Sequence, residues 1–479
     1  MTLATVPALD PSRVARTQDF AAEFAAFASS LTVGDLPPDV LDAVRCDIFD
    51  TLACATAGIS ADGVRILVAL ITDWGGKPEA TIWCSGLRVP AHHAAWVNGM
   101  MAHARDFDDT HDAAVLHAGV SVVPAAIAAA ERDETATGED LLAGVAAGLE
   151  LICRLGVATQ VGIIESGFMY TSLFGHFGAT AAAARVMRLN AAETTNALGI
   201  AYSQAAGTHQ VTRDAALTKR MQPGFAAKTG LISTALSRAG IRGAQETFEG
   251  VDGLVRSYFH DRVDTDVLRD GLGERYLLKD LSFKPYPCCR FNHTAIDAAL
   301  RLREQLGPDG VASISRITAL VNRQSCEAVG TPIEMRQNPK TVVQAQFSIP
   351  YTVACALLRG AVGLADFTKA GLRDGDVAAL ARKVDVRVDP GIERDWSRSI
   401  SPTRLVVETG ETTVEVQVDR PRGGADLPMT REDFDRKMTG CLDISGLRWE
   451  AATSRRLYDA VEGLDRGTRP RDLVASLTP

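Results

Sequence analysis

The chain has 479 residues, of which 46% are hydrophobic and 23% charged, and its formal net charge is −9 at pH 7. These fractions are typical of globular proteins and exclude a largely disordered chain, and the length indicates two or three domains. The acidic balance provides no basic surface for nucleic acid, so we expect no nucleic-acid partner.

Targeting signals are not evident in the sequence. The segment 1–30 carries five charged residues between Asp10 and Glu23, where a secretory signal would need an apolar stretch. The best membrane candidate, 118–130, is short and contains Pro124. Nine cysteines, an odd number spread along a long chain, favour reduced thiols over a disulfide framework. We therefore expect a cytoplasmic protein with no membrane partner.

The first half of the chain predicts helices. Pro37-Pro38 can open one, apolar residues recur every three or four positions from Val40 to Leu52, and Gly58 ends it. The patterns Thr137-x-x-Asp140 and Asn190-x-x-Glu193 resemble capping boxes that begin further helices. Helical patterns of this kind continue to about residue 282.

The character of the sequence changes near residue 284. Short β-branched runs predict strands at 314–321, 384–388, 404–408 and 412–418, and Thr409-Gly410-Glu411 indicates a hairpin turn. Helices are predicted in the same region, at 294–305 before the first strand and at 350–359 and 376–383 between strands. The tail becomes helical again after Thr430-x-x-Asp433. We therefore expect a helical domain over 1–283, an α+β domain over 284–418, and C-terminal helices over 419–479 that return to the helical domain.

The densest polar segment is His-Ala-Arg-Asp-Phe-Asp-Asp-Thr-His-Asp at 103–112, followed by His117. Its flanks look buried, and a charged loop between buried helices tends to line a cleft. Histidine and aspartate can bind a metal, but the usual His-x-x-x-His spacing is missing. Asp108-Asp109-x-x-Asp112 matches the aspartate-rich motif of terpene synthases, but its downstream partner motif is missing. Metal-free acid/base chemistry is the third alternative, with His117 and Asp106 as proton carriers and Thr110 as a hydrogen-bonding group.

Several ordered segments resemble the MmgE/PrpD family, which includes 2-methylcitrate dehydratases, cis-aconitate decarboxylases and iminodisuccinate epimerases. They are NGMMAHARDFDDTH at 98–111, HAG at 117–119, TKRMQPGFAAKTG at 218–230, KPYPCCRFNH at 284–293 and FSIPY at 347–351. The resemblance implies a mainly α fold, in which a large helical domain carries an inserted, smaller α+β lid. It also implies a homodimer that acts on di- or tricarboxylates without a cofactor or a metal.

By this resemblance, five residues fall on the family's active-site positions: Asp106, Thr110, His117, Lys219 and Lys284. We assign His117 to proton transfer, and Lys219 and Lys284 to carboxylate binding or charge stabilisation. The further substrate-binding candidates are Arg290, His103, His176 and Tyr170. Asp108, Asp109 and His111 are expected to cap helices or hold the loop. The cations should form a local positive pocket in an acidic protein.

One departure from the family concerns the stretch Gly167-Phe168-Met169-Tyr170-Thr171. The family often has an active-site histidine at the position of Met169, and a methionine cannot carry a proton. Tyr170 and His176 are the two candidates to replace it, and the sequence does not choose between them. The leading hypothesis is a cofactor-independent lyase on a small polycarboxylate. The alternatives are an epimerase of a polycarboxylate, a non-catalytic carboxylate-binding protein and a metal-dependent helical enzyme.

Overall fold

The computed structural model describes residues 18–397, 400–410 and 412–479. Asp10, Arg13 and Arg16 of the N-terminal segment, and Glu411 of the predicted hairpin turn, lie outside the described residues. Helices make up 59% of the structure and strands are few, which confirms the predicted mainly α fold class.

Before residue 284, helices dominate. They are α1 (Phe20–Ser30), α2 (Pro38–Gly58), α3 (Val64–Trp74), α4 (Ala91–His103), α5 (Gly119–Arg132), α6 (Gly138–Ala158), α7 (Ile163–Ser166), α8 (Tyr170–Leu173), α9 (Gly175–Val186), α10 (Ala191–Tyr202), α11 (Gln210–Arg213), α12 (Thr218–Arg238), α13 (Leu254–Phe259) and α14 (Thr265–Arg269). Four short strands accompany them: β1 (Ala80–Ile82), β2 (Leu87–Val89), β3 (Thr110–His111) and β4 (Leu281–Ser282).

After residue 284, helices and strands alternate. The helices are α15 (His293–Ala312), α16 (Arg323–Ser325), α17 (Ile333–Gln337), α18 (Val342–Gln346), α19 (Ile349–Arg359), α20 (Gly375–Ala381) and α21 (Pro390–Trp396). The strands are β5 (Ile314–Val321), β6 (Val384–Val388), β7 (Thr403–Thr409) and β8 (Thr413–Val418). The tail forms α22 (Arg431–Ser445), α23 (Thr453–Glu462) and α24 (Pro470–Ala475).

The local sequence signals are confirmed where they were strongest. Helix α2 begins at Pro38 and ends at Gly58, as predicted. All three capping boxes form: the side chains of Thr137, Asn190 and Thr430 each accept the backbone N–H of the residue three positions later, and the acidic side chain there accepts in return. Each box satisfies backbone donors that the first turn of a helix leaves free.

The predicted strands after residue 284 form one four-stranded sheet with the order β6-β5-β7-β8. Strand β5 pairs parallel with β6, whereas β5–β7 and β7–β8 are antiparallel. Helices α15 and α19 supply buried residues to the core that this sheet shares.

Buried apolar residues form two main clusters. One combines residues of α1–α14 with residues of the tail, such as Phe434, Met438 and Leu457. The other lies between Tyr286 and Val418. The tail therefore packs on the N-terminal helices, and the phenyl rings of Phe49 and Phe434 lie 6.0 Å apart. The domain boundaries at 284 and 419 stay predictions.

Close packing between α4 and α12 brings distant parts of the sequence together. The two helices cross at Gly99 and Gly224, where a Cβ on Gly99 would lie 2.9 Å from the Gly224 Cα. The crossing needs both glycines, because a side chain at either one would push the helices apart. The C-terminal end of α4 thereby lies close to the first turn of α12, which carries Lys219.

The most apolar long helix is α6, which is long and apolar enough to cross a membrane by length and composition alone. However, 94% of its apolar window is buried inside the protein, as expected of a core helix. The strongest such segment is thus 138–158, and not 118–130 as the sequence analysis expected. All nine cysteines are free thiols, which fits the reducing compartment predicted above, although the compartment itself stays a prediction.

Candidate active site

The polar segment 103–112 leaves the end of α4 and runs through β3 towards α5. Strand β3 pairs antiparallel with β4, which places Thr110 opposite Ser282. Lys284 follows Ser282 by two residues in the chain. Asp106 has a φ of 54°, in the left-handed region that aspartate tolerates better than most residues. This turn directs both the carbonyl and the carboxylate of Asp106 towards two lysines.

Lys219 and Lys284 both contact Asp106. The Lys219 Nζ donates to Asp106 Oδ1 at 2.9 Å. The Lys284 Nζ donates to the Asp106 carbonyl at 2.9 Å and lies 3.5 Å from Oδ1. Lys284 is fully buried and Lys219 is 7% exposed. A lysine in the first turn of a helix is disfavoured by the helix dipole, so the Asp106 carboxylate offsets an unfavourable position for Lys219.

The charges of this cluster hold one another ionised. Burial alone would raise the pKa of Asp106, but Lys219 and Lys284 outweigh it and keep this pKa below its usual range. Burial would likewise lower the pKa of Lys284, but the carboxylates of Asp106 and Asp108 raise it. Asp106 is therefore a carboxylate at neutral pH, which favours a role in holding the lysines over a role as a proton donor.

His103, Asp108 and His117 form a compact cluster, which we term the histidine–aspartate group. The Asp108 Oδ2 accepts from His103 Nδ1 at 2.8 Å and from His117 Nδ1 at 2.9 Å. The His117 Nδ1 also lies 2.7 Å from the carbonyl of Asp109. Because both neighbours of His117 Nδ1 are acceptors, this nitrogen carries the hydrogen, and Nε2 is left as the proton acceptor of the neutral ring.

The two histidines of this group differ in how deeply they are buried. His103 is 2% exposed, and its burial lowers its pKa to about 4. The His117 side chain is 15% exposed. Burial would raise the pKa of Asp108, but His103 and His117 outweigh it and bring this pKa well below its usual range. Asp108 thus orients both rings as a carboxylate, and His117 is the histidine of the pair that reaches the cavity described below.

Asp109 lies behind His117 and caps α5. Its carboxylate accepts the backbone N–H groups of Ala118 at 2.8 Å and Gly119 at 3.1 Å. Burial and the charge of Asp108 raise the pKa of Asp109 to about 6. Asp47 is also fully buried beside it, and burial together with the charge of Asp109 raises the pKa of Asp47 well above its usual range. Asp109 therefore holds the loop, as expected, next to a second aspartate that prefers its neutral form.

Arg290 is engaged by a protein carboxylate. Its Nε and Nη2 lie 3.0 and 2.9 Å from the two oxygens of Asp112, in a forked arrangement. Thr110 and Ser282 also donate to Asp112, at 3.1 and 3.0 Å. Each of the three predicted cations thus has a carboxylate partner: Lys219 and Lys284 share Asp106, and Arg290 pairs with Asp112. The three cations still outnumber these two carboxylates by one.

The three aspartates of the Asp108-Asp109-x-x-Asp112 pattern face different partners. Asp108 accepts from two histidines, Asp109 from the start of α5, and Asp112 from Arg290. They do not share one face, as an aspartate-rich metal motif would require. The separations within the histidine–aspartate group, with ligand atoms within 4.8 Å of one another, would admit a metal ion. Its present hydrogen bonds serve equally to orient His117 for metal-free proton transfer.

A cavity of about 80 Å³ joins most of these groups. It is lined by five predicted residues, Asp106, Thr110, His117, Lys219 and Arg290. One water needs about 10–15 Å³ on this measure, so the cavity suits a small molecule and excludes a large cofactor. His103 and Lys284 lie directly behind its wall, bonded to Asp108 and Asp106.

Two predicted residues lie elsewhere. The Tyr170 hydroxyl donates to the Val161 carbonyl at 2.5 Å, and this side chain lines a neighbouring cleft. The His176 Nδ1 bonds the Ser172 carbonyl at 2.7 Å, and the ring faces a third cavity. Neither residue is among the described residues that line the cavity of His117, although Met169 is. The structure thus brings neither expected substitute to the place where the family histidine is missing.

Another histidine lines the cavity, and the sequence analysis did not single it out. His209 lies between α10 and α11 and shares the cavity with His117 and Lys219. Its only local signal is the turn Gly207-Thr208-His209, which does not predict a site. The apolar walls of the cavity include Met169, Phe291 and Phe347, and the Lys219 Nζ lies 5.1 Å from the centre of the Phe347 ring.

Comparison with known protein families agrees with this arrangement. The model of the MmgE/PrpD N-terminal domain matches residues 22–265, and that of the MmgE/PrpD C-terminal domain matches residues 286–459. The chain belongs to the MmgE/PrpD family. The family resemblance inferred from the sequence is thereby confirmed.

The curated relatives of this MmgE/PrpD protein are distant but cover most of its length. A cis-aconitate decarboxylase-like protein of Aspergillus oryzae is 27% identical over 95% of this chain and 97% of its own. The cis-aconitate decarboxylase of Homo sapiens is 26% identical over 86% of each chain. The 2-methylcitrate dehydratase of Cupriavidus necator is 26% identical over 80% of this chain and 81% of its own.

Proposed function

We propose that this protein is a lyase that acts on a small polycarboxylate by moving a proton next to a carboxylate group. The observation that carries the proposal is the single cavity lined by His117, Lys219 and Asp106, in a chain that belongs to the MmgE/PrpD family. The names of the relatives, decarboxylase and dehydratase, support the lyase class. The cavity volume of about 80 Å³ agrees with a small substrate, and the cations Lys219 and Arg290 in its lining agree with an anionic one.

Proton transfer falls to His117. In a dehydration, the neutral Nε2 takes a proton from the carbon next to a carboxylate, the C–O bond breaks, and the hydroxyl leaves as water with a proton from an acid. In a decarboxylation, the C–C bond breaks, carbon dioxide leaves, and the electron pair left on carbon takes a proton from an imidazolium. Asp108 stabilises the imidazolium in either case, because its carboxylate lies 2.9 Å from His117 Nδ1.

Lys219 and Lys284 supply positive charge for the substrate. Both reactions place negative charge on carbon and on the adjoining carboxylate, and preorganised cations stabilise such charge well where water is excluded. Asp106 holds both lysines at one point, and its Oδ2 is buried with no hydrogen-bond partner among the described residues. That oxygen is free to accept a hydroxyl of a substrate.

Replacement of His117 and Lys219 by alanine tests the proposal. A panel of di- and tricarboxylates is incubated with wild type in D₂O and followed by NMR. We expect net elimination or release of carbon dioxide with one substrate class, and loss of this turnover by at least 100-fold in His117→Ala and Lys219→Ala, since general acid–base groups contribute about 10²–10⁴-fold. The matched controls are His260→Ala and Lys279→Ala, because both side chains are exposed and neither lines the cavity.

The same experiment separates the alternatives. Deuterium incorporation with inversion at carbon and no net elimination would assign an epimerase. Tight binding without turnover or exchange would assign a carboxylate-binding protein. Near-normal turnover in both alanine variants would contradict the site assignment.

We further propose that the chain forms a homodimer through an exposed apolar face on α3. Ile66, Leu70 and Trp74 are 73%, 41% and 52% exposed and recur every four residues, so they lie along one side of the helix. The Trp74 ring lies 6.2 Å from that of the buried Trp96, which in turn lies 5.1 Å from the ring of Phe225, a residue that is 37% exposed. An exposed apolar patch of this kind is typical of an interface. Light scattering should give twice the chain mass for wild type and the chain mass for Ile66→Glu/Trp74→Glu; a monomeric wild type would contradict the proposal.

We also propose that the α+β region over 284–418 closes the site as a lid. It supplies six residues that line the cavity, and the helical region supplies the others; the six are Cys289, Arg290, Phe291, Ala328, Phe347 and Ile400. A larger cleft of about 620 Å³ adjoins the cavity, shares Val115 and Ile163 with it and is bounded by both regions. A substrate would enter through this cleft. Hydrogen exchange should slow along 284–293 and 345–350 when a polycarboxylate binds; unchanged exchange there would contradict closure.

A further inference from the structure

His117, His111 and His209 all line the cavity, and the proton transfer described above does not use His209. His209 lies directly before α11 and lines the same cavity as His117. The two residues come from separate segments of the chain, and Thr171, which accepts the backbone N–H of His117 at 3.0 Å, also lines the cavity. The third histidine of the lining, His111, already uses both ring nitrogens, with the Leu277 carbonyl at 3.1 Å and the Ala114 N–H at 3.3 Å. His117 and His209 are therefore the two imidazole rings left for a substrate.

The backbone holds His209 firmly in place. Its N–H donates to the Gly167 carbonyl at 2.8 Å, and the Met169 N–H donates to the Gly207 carbonyl at 3.0 Å. Phe168 and Thr208 form an antiparallel bridge between these two contacts. The loop around His209 is thus paired with the loop around Met169, and both residues line the cavity.

The His209 ring carries an unsatisfied nitrogen. Its Nδ1 is buried and has no hydrogen-bond partner among the described residues. A buried polar atom without a partner destabilises the protein, and such an atom in a ligand cavity is satisfied when a ligand supplies the partner. The Tyr170 hydroxyl and the His176 Nδ1, in contrast, are already bonded to backbone carbonyls.

The surroundings keep His209 neutral until an anion arrives. Burial, and after it the positive charges of Arg213 and Lys219, lower the pKa of His209 to about 4. A bound polycarboxylate would bring two or three negative charges next to the ring and to Lys219. It would thereby offset the effect of the two cations and favour the imidazolium.

We propose that His209 is a second catalytic proton carrier of the cavity, which takes up a proton when the polycarboxylate binds and delivers it during turnover. The inference rests on the proposed lyase function. In a decarboxylation, the carbon that loses carbon dioxide takes its proton from the His209 imidazolium instead of from His117, and the His209 ring returns to its neutral form. In a dehydration, it protonates the departing hydroxyl, while His117 Nε2 takes the proton from carbon. His209 then regains its proton from solvent with the next substrate.

Two asparagine variants test the proposal. His209→Asn keeps a hydrogen-bonding group close to the position of Nδ1 but cannot carry a proton. We expect its kcat to fall by at least 100-fold, with a much smaller change in KM. His260→Asn is the matched control, because His260 is exposed and faces a different surface; its kcat should stay within twofold of wild type.

A binding measurement adds a readout that a purely structural role would not change. Calorimetric titration with tricarballylate at pH 6, in buffers of different ionisation enthalpy, counts the protons taken up per ligand. Wild type and His260→Asn should take up a fraction approaching one proton more than His209→Asn. If His209→Asn binds, takes up protons and turns over as wild type does, the proposal is wrong. If wild type turns over no polycarboxylate, the proposed function fails instead.

Discussion

Replacement of Asp108 by asparagine tests the electrostatic basis of the site. The substitution keeps size and one acceptor oxygen but removes the charge that faces both His103 and His117. Asp108 is fully buried, and its Oδ2 lies 2.9 Å from His117 Nδ1. When His117 takes a proton, its positive charge forms directly against this carboxylate. We therefore expect Asp108→Asn to act on the reaction step more than on substrate binding.

The size of the effect follows from that distance. Two unit charges 2.9 Å apart attract by about 6 kcal/mol at an effective dielectric constant of about 20. A hydrogen bond to a charged group contributes about 1.5–3 kcal/mol net. Each 1.36 kcal/mol changes the rate tenfold, so kcat should fall between about 10-fold and 10⁴-fold. The carbonyl of Asp109 still accepts from His117 Nδ1, which favours the lower part of this range.

The assay is steady-state turnover of the polycarboxylate identified in the NMR panel, with circular dichroism and thermal melting as checks of the fold. Asp385→Asn is the control, since Asp385 lies on β6 and pairs with Arg387 away from the cavity. Folded Asp108→Asn with a kcat within threefold of wild type would refute the role of Asp108 as the partner of a charged His117.

Three further predictions concern stability and metal dependence. The Lys437 Nζ is buried 2.6 Å from Asp50 Oδ1. Lys437→Met leaves the Asp50 carboxylate without this partner and should lower the free energy of unfolding in urea by about 3–5 kcal/mol. The double variant Lys437→Met/Asp50→Asn should recover most of the lost stability, and an unchanged urea midpoint in Lys437→Met would contradict the prediction. Burial and Asp108 raise the pKa of Asp109 to about 6 in the folded protein, whereas an unfolded chain gives about 3.9. The contribution of Asp109 to the free energy of unfolding is therefore complete below about pH 4. This contribution, up to about 3 kcal/mol, is lost as the pH rises through 6. The unfolding free energy of wild type should therefore fall relative to that of Asp109→Asn between pH 4 and 7, and parallel curves would count against the shifted pKa. Turnover should survive exhaustive chelation; a loss that Zn²⁺ or Mn²⁺ restores would assign a metal to the histidine–aspartate group.

Local sequence patterns determined the helices and strands of this protein. Capping boxes, prolines and β-branched runs act within a few residues of themselves, and for this reason the starts of α6, α10 and α22 and the strands of the sheet were predicted correctly. The family motifs likewise named Asp106, Thr110, His117, Lys219 and Arg290, which the fold brings to one cavity.

Only the tertiary structure decided what each of those side chains contacts. The pairing of Arg290 with Asp112, and of both lysines with Asp106, depends on segments more than a hundred residues apart. His209 has no motif around it and reaches the cavity because its loop pairs with the loop of Met169. Tyr170 and His176 are close to Met169 in sequence, yet their polar atoms turn to backbone carbonyls elsewhere. Residue spacing determines the secondary structure of a segment and the face on which a side chain lies. The packing of distant segments determines which side chains share a cavity.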